Sequence, residues 1–461
     1  MRRIIIKLDR KHSVLENTAI ILDQGKQQAV FIVLFTLLYL LRDVGGIHVP
    51  DFVFTGICAI AFAVMDMGTC LGMYMFTSVL TVSHNEISII YLVMLIFKIL
   101  TTKKIKINGK MLMMTFGMLL LQLVNITMFT YKEVGAAIYD YVTRMLIIIL
   151  PLFWYMDEYT AEDFRSALMC YVAGVVLGGT TTMFLTADLV TWEALLKGES
   201  NIRLGETYNL GESMQTTYNS NQLAVMFSIA TAILVQRLDQ KQISKLWGFP
   251  LIAYSVFLVV LTRSRTGLLT IALITVIYYL ILVLRRKRLL SGIFVLGMIG
   301  LLIWAIFNYA PDAAQAVLKR FVDQEDITNG RVDLFVDYIK VWLNNSWCFF
   351  FGYGIGTYYN IETTGSPHNA LADILYAWGV VGFLLIVGVI LKCWRKSIKK
   401  VSKKDRIVSL LPAIVALCAS MAGQYLTTGY PHMRLCFLIL AAQAFAQEQK
   451  KTEPKKLQEE N

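Results

Sequence analysis

Residues 247–284 read WGFPLIAYSVFLVVLTRSRTGLLTIALITVIYYLILVL, which is two apolar blocks separated by a short polar turn. Each block is close to the roughly 17–25 residues that an α-helix needs to cross a bilayer. The turn contains two arginines, Arg263 and Arg265, and positive charge is costly where only a tight turn separates two apolar blocks. The stretch therefore predicts two membrane-spanning helices joined by a positively charged turn.

The rest of the chain repeats this pattern. Of the 461 residues, 56% are hydrophobic and only 16% are charged, and the mean hydropathy is +0.58. A soluble globule averages about 25% charged residues because its surface must stay hydrated. We therefore predict an all-α polytopic membrane protein with about 12–14 transmembrane helices, and we exclude a soluble enzyme, a disulfide scaffold or a disordered chain. The candidate blocks are 28–42, 51–66, 68–82, 86–100, 110–130, 135–155, 166–187, 218–236, 247–262, 265–284, 289–308, 368–391, 407–425 and 431–447.

The weakest part of this assignment is 51–82, where the run Met65-Asp66-Met67-Gly68 interrupts the apolar residues. The segment could be two short spans or a re-entrant pair. Basic residues favour two separate elements, because a single span would move the clusters at 103–110 and 285–288 to the extracytoplasmic side, against the positive-inside rule. Both termini are then cytoplasmic.

This orientation divides the chain into seven segments. We predict a cytoplasmic N-terminal segment 1–27, N-terminal transmembrane helices 28–187, a first long outer loop 188–217, central transmembrane helices 218–308, a large outer catalytic loop 309–367, C-terminal transmembrane helices 368–447 and a cytoplasmic tail 448–461. Within the large outer loop, Arg331 to Asn345 has apolar residues at helical spacing. This pattern predicts an amphipathic helix that lies on the membrane surface.

The net charge of +11 does not indicate a nucleic-acid partner, because the basic residues lie in the connections between apolar blocks and no nucleic-acid module accompanies them. The seven cysteines show no metal-ligand spacing. No P-loop, HExxH zinc motif or GxSxG nucleophile motif occurs. We therefore predict a chain that uses no cofactor and no metal.

His368 stands apart from the other four histidines, because it lies in Gly365-Ser366-Pro367-His368-Asn369, where the large outer loop enters a span. Ser366 suits an N-cap and Pro367 suits the first helical position, so we expect His368 in the first helical turn. The positive end of the helix dipole would keep its imidazole neutral there, as a general base requires. The alternative is a histidine of the cap region without a chemical role.

Four further arginines are candidates beside Arg263. Arg265 stands at the start of the second helix, where guanidinium, backbone N–H groups and helix dipole together favour an anion such as phosphate. Arg203 lies in the first outer loop and Arg331 begins the amphipathic segment. Arg144 lies inside an apolar block, where it has a functional role or pairs with Asp140. The alternative for Arg263 and Arg265 is a pair of anchors whose charged ends reach the interface.

These elements together resemble the O-antigen ligase and O-antigen polymerase family, which includes the Wzy-type polysaccharide polymerases. The resemblance covers residues 200–392 best. The residues that carry it are Arg263-Ser264-Arg265-Thr266-Gly267-Leu268-Leu269, Gly330-Arg331, Gly352-Tyr353-Gly354-Ile355-Gly356, Ser366-Pro367-His368-Asn369, Gly379 and Gly382.

The resemblance implies an inverting, metal-independent glycosyltransferase of the membrane class C type. Its partners would be an undecaprenyl-diphosphate-linked oligosaccharide donor, a glycan acceptor, membrane lipids and a chain-length regulator. His368 would be the general base, Arg203, Arg265 and Arg331 would bind the diphosphate, and Arg263, Arg144 and Asn369 would support them. The reaction would take place on the outer face of a bacterial cytoplasmic membrane.

The acceptor distinguishes two enzymes. We favour a polymerase of capsular, exopolysaccharide or O-antigen repeat units over a ligase that transfers the finished glycan to a lipid or cell-wall component. The alternative from another functional class is a flippase for lipid-linked oligosaccharides. A flippase would spread its basic residues through a central cavity, whereas here the polar residues gather on one face.

Overall fold

The computed structural model describes residues 24–80, 84–101, 109–129, 135, 159–189, 203–205, 219–285, 287, 289–309, 311, 315, 330–355, 367–400, 406–423, 433–436 and 438–440. Within these ranges the regular structure is helical and contains no strand. Six helices in the described part are long and apolar enough to cross a membrane, and three shorter helices are also apolar. The predicted all-α polytopic membrane fold is confirmed, and the total of 12–14 spans stays a prediction.

Twelve of the fourteen predicted apolar blocks coincide with helices, while 135–155, apart from residue 135, and most of 431–447 lie outside the described residues. They are α1 (Gln24–Asp43), α2 (Asp51–Val64), α3 (Met67–Thr77), α4 (His84–Thr101), α5 (Gly109–Phe129), α6 (Ala161–Leu189), α7 (Ser220–Asp239), α8 (Lys245–Thr262), α9 (Arg265–Leu280, continued by one π-helical turn at Ile281–Arg285), α10 (Leu289–Tyr309), α11 (Arg331–Leu343), α12 (Ser346–Phe351), α13 (Ala370–Lys400) and α14 (Arg406–Ser420). The two blocks on either side of Arg263 are thus α8 and α9.

Segment 51–82 forms two helices, α2 and α3, rather than one span. The chain breaks at Met65 and Asp66, and the Asp66 carboxylate caps α3 by accepting a hydrogen bond from the Thr69 N–H at 2.8 Å. The ammonium of Lys98, near the end of α4, donates to the carbonyl oxygens of Ala63 and Met65 at 3.1 and 2.6 Å. These bonds place the end of α2 beside the end of α4. Helix α2 therefore ends there, and α3 is a separate element.

Helix α7 lies at the centre of the bundle, and its side chains are buried from Leu223 to Arg237. Helices α6, α8, α9 and α14 pack against it. Near one end of α7, the Ser264 hydroxyl hydrogen-bonds Asn221 at 2.7 Å, and near the other end the Gln236 amide donates to the Ser409 carbonyl at 2.8 Å. Therefore α14 runs antiparallel to α7, and the α8–α9 turn lies at the same end as the start of α7 and the end of α14. We call this the site end.

The amphipathic helix predicted from Arg331 to Asn345 is present as α11 and ends at Leu343. Its buried residues, Tyr338 and Trp342, pack against Ala372 and Tyr376 of α13. The Tyr338 and Tyr376 rings meet edge to face, with centroids 5.0 Å apart. One face of α11 therefore packs on protein, and its position on a membrane surface stays a prediction.

Helix α13 is broken at Gly379, whose φ of 63° and ψ of −172° are not helical. A glycine turn, Gly352–Gly354, binds at this break: the Tyr353 N–H donates to the Tyr376 carbonyl at 2.8 Å, and the Gly354 N–H donates to the Ala377 carbonyl at 3.1 Å. A Cβ atom at Gly379 would lie 2.4 Å from the Phe350 carbonyl group, so the two backbones touch. Only glycine allows both the positive φ and this approach.

We expect Gly379→Ala to destabilise the protein for two reasons. Alanine at a positive φ is strained by about 1–3 kcal/mol. Its Cβ atom would also collide with the Phe350 carbonyl group. Gly388→Ala is the matched control on the same helix, since a Cβ atom there meets nothing within 4 Å. Thermal unfolding of the purified variants in detergent measures the difference. Melting temperatures that fall equally, or fall in neither variant, would contradict the close approach at Gly379.

Candidate functional site

Two groups of sequence-predicted residues lie at the site end of the bundle. The first group contains His368, Asn369 and Arg331, and both Asn369 and Arg331 hydrogen-bond the turn that follows α14. The second group contains Arg203, Arg263 and Arg265, around the α8–α9 turn. Since α14 ends and α9 begins at the same end of α7, the bundle brings both groups to one face.

His368 precedes α13 instead of lying in its first turn, so the prediction of Ser366 as the N-cap and Pro367 as the first helical residue is wrong. The helix begins at Ala370, and the Asn369 side chain caps it by accepting from the N–H groups of Leu371 and Ala372 at 2.9 and 3.2 Å. His368 has a φ of 47°, in the left-handed region. Asparagine is among the best N-cap residues, and its side chain takes this role here. Ser366 itself lies outside the described residues.

Asn369 and Arg331 are both bound to the turn Met421–Gly423. The Asn369 side-chain amide donates to the Met421 carbonyl, and Nη1 of Arg331 donates to the Ala422 carbonyl, each at 2.8 Å. These carbonyl groups lie just past the end of α14, where intrahelical donors run out. The turn therefore ties the start of α11 to the start of α13 and holds Arg331 close to His368.

The pKa of His368 is lowered from its ordinary value, first by the protein atoms that displace water around the imidazole and second by the positive charge of Arg331. The side chain nevertheless stays accessible to solvent. The predicted direction is found, but its cause is burial and Arg331 rather than a place in the first helical turn. A lowered pKa keeps the imidazole neutral, and able to accept a proton, at neutral pH.

The α8–α9 turn carries the second group. Arg265 is the first residue of α9, as predicted, and Ser264 caps this helix by accepting from the Gly267 N–H at 3.4 Å. Arg263 ends α8 with a φ of 48° and is only 7% exposed, whereas Arg265 is partly exposed. The two arginines therefore occupy different environments. Arg265 is the one that combines partial exposure with a place at a helix N-terminus, the combination that favours anions.

The first outer loop, which contains Arg203, contacts the same turn through its backbone. The N–H of the next residue, Leu204, donates to the carbonyl of Leu261 at 3.2 Å, and the Leu204 side chain is fully buried. Leu261 is two residues before Arg263, so the first outer loop and the α8–α9 turn are in contact. This backbone contact brings the chain at Arg203 to the α8–α9 turn, which lies about sixty residues further along the sequence. Arg144 lies outside the described residues, and its role stays a prediction.

Sequence reasoning missed several polar residues of this region. Asn221 holds Ser264, and Asp373, one turn beyond Asn369, is a fully buried carboxylate. Gln122 and Asn125 of α5 contact the glycine turn and the broken helix. The available signal was a single polar residue inside an apolar block, which in a membrane helix marks a functional or packing site. Among the described residues, no three His, Cys, Asp or Glu side chains are grouped so that they could hold a metal ion.

Comparison with known proteins agrees with the motifs. Residues 250–387 match the family model of the O-antigen ligases. No individual curated protein gives a match. The resemblance to the O-antigen ligase and polymerase family is thereby confirmed, and the matched range includes the α8–α9 turn, Arg331, the glycine turn and His368. It supports a multi-pass membrane protein with glycosyltransferase-like activity, acting in general on a lipid-linked glycan and an acceptor.

We expect Arg331→Gln to raise the pKa of His368, because the variant removes the positive charge that opposes protonation. Arg331→Lys keeps the charge and should leave the pKa closer to that of the wild type. The measurement is the pH dependence of carbethoxylation of His368, which reports the neutral imidazole and is read by peptide mass spectrometry. Lys340→Gln, on an exposed residue of the same helix, is the control. An unchanged midpoint in Arg331→Gln would show that Arg331 does not act on His368.

Proposed function

We propose that the protein polymerises undecaprenyl-diphosphate-linked oligosaccharide repeat units into a capsular, exopolysaccharide or O-antigen chain. The single observation that carries this proposal is the gathering, at one end of the helix bundle, of an accessible histidine with a lowered pKa, Arg331 beside it, and the three arginines around the α8–α9 turn. Such an arrangement provides a proton acceptor together with positive charge for a diphosphate leaving group. From the distribution of the basic residues we propose that this end lies at the outer face of a bacterial cytoplasmic membrane, with both termini in the cytoplasm.

In the proposed reaction, the neutral imidazole of His368 takes the proton from a hydroxyl group of the acceptor sugar. The hydroxyl oxygen attacks the anomeric carbon of the donor from the face opposite the diphosphate, so the anomeric configuration inverts. The bond between this carbon and the diphosphate oxygen breaks, and the lipid diphosphate leaves with the electron pair. Asn369 acts as a positioning residue, since it caps α13 beside His368.

The leaving diphosphate gains negative charge as the glycosidic bond breaks. Arg265 and Arg203 are proposed to bind it, Arg265 with the support of the N-terminus of α9. Arg331 is proposed as a second-rank diphosphate ligand, because one of its N–H groups is already bound to the Ala422 carbonyl. Arg263 is buried, so its proposed support is through packing and charge. Removing one electrostatic group of this kind commonly costs roughly 10²–10³ in kcat.

A ligase is the second candidate, and the description of the matched family favours it. A ligase would transfer a finished glycan to a lipid or cell-wall acceptor with the same base and the same leaving group. The two activities differ in the acceptor, so the products separate them. With lipid-linked repeat units as the only substrate, a polymerase yields a ladder of longer glycans, whereas a ligase yields none until its acceptor is added.

We expect His368→Ala to abolish glycan transfer while the protein stays folded, because His368 is exposed and precedes α13. The assay uses purified protein in liposomes with lipid-linked repeat units, and gel analysis of the products. Lys340→Ala is the matched control, since Lys340 is exposed and pairs only with Asp337 of its own helix, at 3.7 Å, in the described structure. Transfer by His368→Ala at near the wild-type rate would rule out His368 as the base.

We expect Arg265→Lys to lose most activity and Arg265→Ala to lose nearly all of it, by about 10²–10³ in kcat. The planar guanidinium can make two parallel hydrogen bonds to phosphate oxygens, whereas lysine supplies only a point charge. Arg203→Ala should behave similarly, and the double variant should lose less than the sum of the two effects because both arginines bind one leaving group. Full turnover by Arg265→Gln in the same assay would contradict the diphosphate site.

A further inference from the structure

The residues that hold the glycine turn include two polar side chains of α5, a helix outside the range that matches the family model. Gln122 uses both ends of its amide: Nε2 donates to the Ala377 carbonyl at 2.9 Å, and Oε1 accepts from the Ile355 N–H at 3.0 Å. Gln122 is fully buried. One side chain therefore bridges the broken helix α13 and Ile355, the residue that follows the glycine turn.

Asn125, one turn further along α5, repeats this arrangement on the other side of the glycine turn. Its Nδ2 donates to the Phe351 carbonyl at 2.8 Å, and its Oδ1 accepts from the Trp347 indole N–H at 3.1 Å. Phe351 is the last residue of α12, so its carbonyl has no donor within the helix. Together Gln122 and Asn125 make four hydrogen bonds to segments more than two hundred residues away in sequence.

The break at Gly379 explains why these polar side chains are needed. When a helix is interrupted, the carbonyl groups of the turn before the break lose the N–H partners four residues ahead. In an apolar surrounding, a backbone group without a hydrogen-bond partner is strongly unfavourable. The Tyr376 and Ala377 carbonyls instead receive hydrogen bonds from the glycine turn and from Gln122. The amide of Gln122 thus replaces part of the missing helical turn.

The part of α13 before the break is a short rod, and His368 lies two residues before it. The rod comprises residues 370–378 and is about 13 Å long at 1.5 Å per residue. One end of the rod is bound by the glycine turn and Gln122, and the other end is bound through Asn369 to the Met421 carbonyl. Fixing both ends of this rod fixes the position of its cap, Asn369, and His368 is bonded directly to Asn369.

We propose that Gln122 and Asn125 are positioning residues that lock the glycine turn onto the broken end of α13 and thereby set the place of His368 beside Arg331. The chemical consequence rests on the proposed function, in which His368 is the base. The lock itself rests only on the hydrogen bonds and the close backbone contact at Gly379.

The test compares Gln122→Met, which keeps the length of the side chain and removes both hydrogen bonds, with Gln122→Glu. A buried glutamic acid is driven towards its protonated form, which has one donor and one acceptor and can replace the amide. Thr127→Val is the matched control, because Thr127 lies on the same helix and its hydroxyl donates to Val124 of that helix. Asn125→Leu serves in place of Gln122→Met if the latter does not accumulate in membranes.

Hydrogen–deuterium exchange is the first measurement. We expect faster exchange of the amides of 352–355 and 370–378 in Gln122→Met, and wild-type exchange in Gln122→Glu and Thr127→Val. Exchange in Gln122→Met that matches the wild type would refute the proposal that Gln122 holds the glycine turn against α13. This measurement needs no substrate, so its result stands even if the protein proves not to transfer glycans.

The pH midpoint of His368 carbethoxylation is the second measurement, and it separates positioning from general weakening of the fold. Among the described residues, the titratable groups to consider are Arg331, which lowers the pKa of His368, and the buried Asp373 of α13. The turn Met421–Gly423 has no titratable side chain. If the rod relaxes, His368 gains water and moves from Arg331, so the midpoint rises in Gln122→Met and returns in Gln122→Glu. Faster exchange with an unchanged midpoint would overturn the positioning role.

Glycan turnover is the third measurement. A displacement of about 1 Å at a reacting group can cost roughly 10²-fold, so we expect kcat of Gln122→Met to fall by about 10–100-fold. Gln122→Glu should recover most of this loss, and Thr127→Val should keep wild-type turnover. A full kcat in Gln122→Met, in a preparation whose wild type is active, would overturn the link to catalysis. A wild type without transfer activity would instead refute the proposed function and leave the lock to be judged by exchange and midpoint.

Discussion

The structure depends on one constraint, that every backbone N–H and C=O group inside a membrane-spanning bundle needs a partner. Unbroken helices meet this requirement by themselves, and α7 does so at the centre of the bundle. Helix α13 does not, because Gly379 interrupts it. The glycine turn and Gln122 supply partners to the α13 carbonyl groups before the break, and Asn125 supplies one to the Phe351 carbonyl at the end of α12. The tight contact between Gly379 and Phe350 leaves no room for a side chain. The break is thus held in one geometry.

Helix ends also determine the site. Arg331 and Asn369 bind the carbonyl groups that follow α14, Ser264 caps α9, and Asn369 caps α13. Polar side chains collect at these places because helix termini have backbone groups without internal partners. The same requirement that stabilises the helix ends therefore concentrates donors, a base and positive charge on one face. That concentration suits the proposed reaction, in which a diphosphate leaves.

Arg331 links packing to chemistry. One of its N–H groups is bound to the Ala422 carbonyl, which holds the guanidinium in place, and its charge lowers the pKa of His368. An arginine beside a base has two effects, because it disfavours protonation of the base and attracts an anionic substrate. In the proposed reaction both effects act in the same direction. The histidine stays neutral until it accepts the proton of the acceptor hydroxyl, and the diphosphate is bound nearby.

The sequence by itself determined the all-α membrane fold, the break between α2 and α3, the amphipathic helix α11 and the start of α9 at Arg265, since these follow from local periodicity, composition and turn residues. It also singled out His368, whose role as the base stays a proposal. It did not place the cap of α13, which is Asn369 and not Ser366. Only the tertiary structure joined Arg203 to the α8–α9 turn, Arg331 to the turn after α14, and Gln122 to the break at Gly379. These contacts span tens to hundreds of residues, and which polar groups meet is decided by how the helices pack rather than by any local pattern.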